Sequence, residues 1–303
     1  MPEITITLPD GSTEAVPEGS TVVDLATAIG ARLGTAALAG RVGGDLVDTN
    51  TVLHDGEAVE IITDRSPEAL HILRHSTAHV MAEAVKSLFP ETTFGIGPAI
   101  EDGFYYDFEV SRPFTPEDLA AIEERMHEIV SQELPFVRAE ISRLEAHDQF
   151  EGEPLKQELI DELPDDATIS VYNQGQFTDL CRGPHVPSTG RIGAFKLMKV
   201  AGAYWRGDST RPMLQRIYGT AWFTQKDLDE YLTRLEEAEK RDHRKLGKEL
   251  DLFSLHEEAG AGLPLYHPKG ARVLRLIQEW LRAELYRRGY VEAITPHVYK
   301  ADV

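Results

Sequence analysis

RHSTAHV, residues 74–80, sets two histidines four apart among small and apolar neighbours. On a helix, residues so spaced stand on one face, and both imidazoles reach one point. The pattern predicts a helix over residues 70–88, and its flanks decide the fold class. Downstream come an extended segment, PAIEDGFYYDF, and a helix announced by Thr115-Pro116-Glu117-Asp118, with proline and acids in its first turn. A strand at PFVRAEI, helical pieces over residues 144–163 and strands at TISVYN and QFTDL then lead into CRGPH. Helices and strands mix without a regular βαβ alternation, so the fold class is α+β.

Upstream, Ile4, Ile6 and Leu8 alternate with threonines and run into the turn Pro9-Asp10-Gly11. Thr21 and Asp24 have the spacing of a capping box, opening a helix through Leu25, Ala26 and Ile29 that stops at Gly30. More strands follow, the last at AVEIIT after the turn His54-Asp55-Gly56. Such a unit reads as a small β-grasp domain, and it resembles the TGS domain, a ubiquitin-like module. Further on, Leu228, Tyr231, Leu232 and Leu235 share one face of a predicted connecting helix, with Glu236/Lys240 and Glu237/Arg241 at the supportive i, i+4 spacing. One more amphipathic helix is expected from about Lys269, closed by Gly289, then a strand-like YVEAI before Pro296.

A chain of 303 residues is long enough for two or three cores. No apolar run approaches the roughly 20 residues that span a bilayer, and the N-terminus lacks a basic start and apolar core. A cytoplasmic protein is expected, with no membrane partner. The single cysteine, Cys181, excludes an internal disulfide framework. A net charge of -20 argues against non-specific nucleic-acid binding. Residues 191–220 run against that average: Arg191, Lys196, Lys199, Arg206, Arg211 and Arg216 meet only Asp208 and alternate with Phe195, Tyr204, Trp205 and Tyr218. This is the composition of a nucleic-acid surface or of a sheet edge guarded by charge.

Cys181-Arg182-Gly183-Pro184-His185 adds a thiol and a third imidazole to His75 and His79. The set H-x3-H plus C-x3-H could hold zinc tetrahedrally or surround a reactive water. Cys181 could also serve as a covalent nucleophile, and a non-covalent role is preferred.

In their order and separations, RHSTAHV, GFYYDF, FTDLCRGPHVP, KLMKVAGAYWRGD, MLQRIYGTAW and KRDHRKLGKELDLF resemble the N-terminal half of bacterial threonyl-tRNA synthetases. The resemblance implies a TGS domain over residues 1–64, an editing domain of threonyl/alanyl type over 65–224, a linker helix over 225–250 and a truncated start of the class II catalytic domain over 251–303. It implies an editing site that hydrolyses serine wrongly attached to threonine tRNA, built from His75, His79, Cys181 and His185 with Lys156 and Asp179 in the same cleft. The partner is then tRNA(Thr), by its acceptor end. Tyr105 and Tyr106 are candidates to stack on its terminal adenosine, beside the bland reading of a half-buried strand pair, and Lys196, Lys199, Arg206 and Arg211 to guide it. The threonyl branch edits without zinc, whereas relatives on the alanyl side hold zinc with such a set, so no cofactor is favoured in the part present. Full-length members use ATP, Mg and a catalytic-domain Zn and form homodimers. Stopping inside the first class II motif makes dimerisation doubtful here. Two alternatives stand beside the ligase reading: a zinc-dependent trans-editing hydrolase, and a tRNA-binding module without catalysis.

Overall fold

In the computed structural model, residues 2–256, 258, 260 and 262–294 are described. Two compact units divide the chain, Met1–Asp229 and Glu230–Val303.

The first unit opens with the hairpin Glu3–Thr7/Thr13–Pro17. Ile4, Ile6 and Val16 bury one face of it against Val22 and Leu25 of the helix Val22–Ile29, with Leu53 and Val59 closing the cluster. That helix starts where the sequence places it. The Thr21 backbone N–H donates to Asp24 Oδ2 at 2.9 Å and the Asp24 N–H donates to Thr21 Oγ1 at 3.4 Å, completing the capping box. A short helix, Ala31–Ala36, follows. Strand Ala39–Val42 then pairs with Asp45–Val47 on one side and Val59–Ile62 on the other. A parallel bridge from Thr7 to Ala58 joins this sheet to the hairpin, giving the helix-on-sheet arrangement of a β-grasp.

The helix Ala69–Leu88 carries the two histidines and is buried almost throughout its middle. Small residues such as Ser76, Ala78 and Ala82 allow close approach from several sides, which explains why its pattern is apolar nearly all round rather than striped. It packs on the strands Gly103–Glu109 and Met213–Trp222 and on the helix Pro116–Ser131. Those strands belong to an antiparallel sheet in the order Ala194–Tyr204, Met213–Trp222, Gly103–Glu109, Thr93–Phe94, with Ala99–Ile100 pairing the third. Along Gly103–Glu109 the alternation of a pleated strand sends Phe104, Tyr106 and Phe108 into the core, all fully buried. A second sheet, Phe177–Leu180, Ile169–Gln174 and Val137–Ile141, brings the segment after QFTDL back to the histidine helix. The helices Arg143–Gln149 and Pro154–Asp161 lie between its strands in sequence.

From residue 225 on, two expectations are corrected. The helix expected over residues 225–250 is two helices, Gln225–Lys240 and His243–Glu249. Asp242 accepts the Arg244 N–H at 2.7 Å and so caps a new start just past Lys240 and Arg241, both of which pair with Glu237. A hairpin, Phe253–Leu255 with Pro264–Tyr266, precedes the helix Pro268–Arg287. Among the described residues no strand forms at 290–294, where Val291 and Ile294 are 90% and 92% exposed. Pro296 lies outside the described residues. Among the described residues no helix is long and apolar enough to cross a membrane.

Candidate active site

His75 and His79 stand on one face of the Ala69–Leu88 helix, where the turn at residues 181–185 meets it. One ligand atom from each of His75, His79, Cys181 and His185 lies within 4.8 Å of all the others. His75 Nε2 is 2.9 Å from Cys181 Sγ, and His185 Nε2 is 3.4 Å from the same sulfur. The two rings stack, with centroids 4.5 Å apart, and His79 meets both edge-on. His71 extends the row by one more turn and lines the same cavity. Its i-4 spacing from His75 was legible in the sequence.

Hydrogen bonding fixes how His185 presents itself. The Ser76 hydroxyl has one proton, donated to the Ile72 carbonyl at 2.8 Å, and its oxygen already accepts the Val186 N–H at 3.0 Å. Toward His185 Nδ1, 3.1 Å away, the hydroxyl is therefore an acceptor. Nδ1 carries the proton, and the bare Nε2 faces Cys181. Phe136 lies flat on the same imidazole at 4.7 Å and Tyr172 meets its edge at 4.5 Å, leaving the ring one orientation.

Lys156 and Asp179 form a buried ion pair, each side chain 3% exposed. Asp179 also accepts the Tyr106 hydroxyl at 2.6 Å and the Leu180 N–H at 2.8 Å, while Lys156 donates to the Tyr106 oxygen at 3.0 Å. His79 Nε2 stands 3.7 Å from the same carboxylate. Burial alone would raise the Asp179 pKa; the ammonium of Lys156, with His79 and Tyr106, brings it below the ordinary carboxylate value. Burial also keeps the imidazoles neutral. It pushes His75 down to about 4, against a hydrogen bond to the Gly97 carbonyl, and His79 down to about 3, against the charge of Asp179. His185 is likewise well below the usual histidine value. The Cys181 thiol is pushed up to about 12 by burial, so at neutral pH it is no thiolate nucleophile.

His75, His79, Cys181, Lys156 and Asp179 line a cavity of about 400 Å3, walled by Ile96, Gly97, Pro98, Ala99 and Leu159 and also by Arg182, with His185 buried behind them. A larger depression, about 840 Å3, is lined by Asp148, Glu151 and Asp161 beside the arginine-paired Glu158 and Glu162.

The RNA-facing expectations fare differently. Tyr106 is corrected: fully buried and bonded to Asp179 and Lys156, its ring has no free face for a base. Tyr105 points to the opposite face of the strand, under the Arg216 guanidinium at 3.8 Å. Of the basic stretch, Lys196 donates to Glu123 at 2.6 Å, Arg206 is held by Glu162 and Glu158, and Arg211 by Glu158. Arg216 pairs across the strand with buried Asp107. Lys199 lies over the Tyr218 ring. Acids distant in sequence neutralise cations that looked unopposed locally. Together with Trp205, which donates to Glu158 at 3.0 Å, the arginines pin the helix Pro154–Asp161 that presents Lys156.

Asp48, in the N-terminal β-grasp part, reaches the back of the site. Its carboxylate accepts the His185 backbone N–H at 2.9 Å and the Tyr172 hydroxyl at 2.6 Å. Gly183, at φ +70°, lets the turn pass the same hydroxyl, which a Cβ there would strike. Nothing near Asp48 in sequence signals this, since its partner is 137 residues away. Asp48→Ala is expected to lower stability to urea by about 1–3 kcal/mol, by leaving a part-buried hydroxyl and N–H without an acceptor, and Tyr172→Phe by less. Equal midpoints for wild type and Asp48→Ala would show that the contact contributes nothing.

Two family models match the chain: the TGS domain over residues 4–63, and the threonyl and alanyl tRNA synthetase second additional domain over residues 169–218. Among curated relatives, the threonine–tRNA ligase of Citrifermentans bemidjiense is 55% identical over 100% of this chain and 48% of its own length. That of Acidithiobacillus ferrooxidans is 55% identical over 98% of the chain and 46% of its own, and that of Ralstonia nicotianae 54% over 97% and 47%. The chain thus spans about half the length of the relatives it matches, and that half is the N-terminal one.

Proposed function

We propose that this chain, similar along its whole length to the N-terminal half of threonine–tRNA ligases, is the proofreading half of such an enzyme and hydrolyses serine from mischarged tRNA(Thr). The observation that carries the reading is the convergence of three neutral imidazoles and a thiol beside a buried Lys–Asp pair, at the floor of a cavity sized for an aminoacyl end. Residues 1–64 are read as the TGS domain, 65–224 as the editing domain, 225–250 as its link and 251–303 as the entry to a ligase domain that would need ATP and Mg for threonyl transfer.

Physical chemistry explains the need. A pocket distinguishes serine from threonine, which has one methyl more, by only about 1 to 3 kcal/mol, roughly 10- to 200-fold. A second pocket that admits serine and excludes the methyl removes the error by hydrolysis. His75 is the base of choice: it is neutral, partly open to the cavity, and its Nε2 faces the cluster, whereas His79 and His185 are 2% and 1% exposed and held in place. It takes a proton from a water poised in the cluster as that water attacks the ester carbonyl. Lys156, oriented by Asp179 and Tyr106, supplies positive charge to the tetrahedral oxyanion or a proton to the departing ribose oxygen.

The donor set also suits zinc. At a tetrahedral zinc a nitrogen and a sulfur ligand stand about 3.6 Å apart; the His185–Cys181 distance of 3.4 Å fits, and the His75–Cys181 distance of 2.9 Å requires a small retreat of that ring. Zinc held by three of His75, His79, Cys181 and His185 would keep a fourth position for a water and lower its pKa. We read the hydrolysis as metal-free, as the resemblance to the threonyl branch implies. Purified chain should therefore release serine from seryl-tRNA(Thr) at the same rate before and after chelation. Loss of activity on chelation, restored by zinc, would establish the zinc reading instead, and no release under either condition would leave a tRNA-binding module.

A further inference from the structure

The cavity that holds the candidate chemistry lacks, on its floor, any charge for the nucleic acid attached to the ester. Of the cations lining it, Lys156 is 3% exposed and directs two of its three N–H groups to Asp179 and Tyr106, which leaves it one for the ester and none for a phosphodiester. Arg182 is the other, and it is exposed; among the described residues it forms no ion pair. The nearby basic stretch is largely neutralised by Glu123, Glu158, Glu162 and Asp107. A chain of net charge -20 repels RNA at a distance, so the end of a strand needs a local cation where it enters.

We propose that Arg182 is that cation: with His71 on the same rim, it grips a phosphodiester next to the esterified 3′ nucleotide and sets how deep the ester enters the cavity. The inference rests on the editing reading above and adds to it the residue that recognises the nucleic-acid part of the substrate. Its backbone position is fixed on both sides. The Cys181 carbonyl accepts the Ser170 hydroxyl at 2.6 Å, and the Gly183 N–H donates to Cys181 Sγ at 3.2 Å. The Arg182 backbone, one residue from Cys181, therefore stands at a set distance from the cluster, and its side chain reaches out from that point. Its planar fork matches two phosphate oxygens, which lysine as a point charge does not.

The role is binding, and that separates it from chemistry. Arg182→Ala should raise KM for seryl-tRNA(Thr) roughly tenfold with kcat within about twofold, and Arg182→Lys should recover part of the loss. Hydrolysis of 3′-O-seryl-adenosine, which has no phosphodiester, should be unchanged by either substitution. For uncharged tRNA, the slope of log Kd against log salt should fall by about one in Arg182→Ala. Equal slowing of both esters would make Arg182 part of the reaction machinery and overturn the proposal, as would an unchanged salt slope. If wild type hydrolysed neither ester, the editing reading would fail, and the salt slope would still decide for or against Arg182.

Discussion

His75→Ala is expected to release serine from seryl-tRNA(Thr) about 10²- to 10⁴-fold more slowly than wild type, the range over which a positioned general base contributes. Of the three clustered imidazoles His75 is the half-buried one, while His79 and His185 are buried, so its removal disturbs the core least and the loss falls on kcat. The pH profile follows from the same geometry. Burial holds His75 near 4 and His79 near 3, while in the unfolded chain both titrate near 6.5. Between those values the unfolded state binds more protons. Stability from this cluster is fully present above pH 6.5 and is lost as the pH falls through about 4. The acid limb of the rate should accordingly lie near pH 4 rather than 6.5. A limb at 6.5 would mean that the reacting imidazole is solvated.

Asp179→Ala should cost about 3–5 kcal/mol of unfolding free energy, because it strands the Lys156 charge in the interior. Removing both charges, as in Lys156→Met/Asp179→Leu, should recover most of that stability while hydrolysis stays lost. The double variant thus separates folding from chemistry. Tyr106→Phe, which keeps the ion pair but removes the hydroxyl that both partners use, should fall between wild type and Asp179→Ala in stability. If Asp179→Ala unfolded at the wild-type denaturant midpoint, the pair would be solvated and its catalytic placement would be wrong.

Much of this site was legible because local rules dominate where it is built. The i, i+4 spacing of His75 and His79 dictates a shared face, and the capping boxes at Thr21 and Thr115 form as their residue types require. What escaped are the partners that only tertiary folding supplies. Glu158 and Glu162 neutralise Arg206 and Arg211 from 44 to 53 residues away, so a stretch whose composition fits either an RNA surface or a guarded sheet edge also anchors the Lys156 helix. Tyr106 differs from Tyr105 only in strand parity, and parity cannot be assigned to a face until it is known which face meets the core. Asp48 joins the site through a contact between two parts of the fold with no pattern in sequence. His71 is the exception: its spacing of four from His75 puts it on the same helix face by sequence alone.

The central claim is that this cleft hydrolyses the serine ester and sieves against threonine. The direct test is to charge the same tRNA(Thr) with labelled serine or labelled threonine and follow release of each by the purified chain, with His75→Ala alongside. Serine should be released well above the spontaneous rate, threonine at close to that rate, and His75→Ala should abolish the difference. Release of both amino acids at equal rates, or of neither, would contradict it.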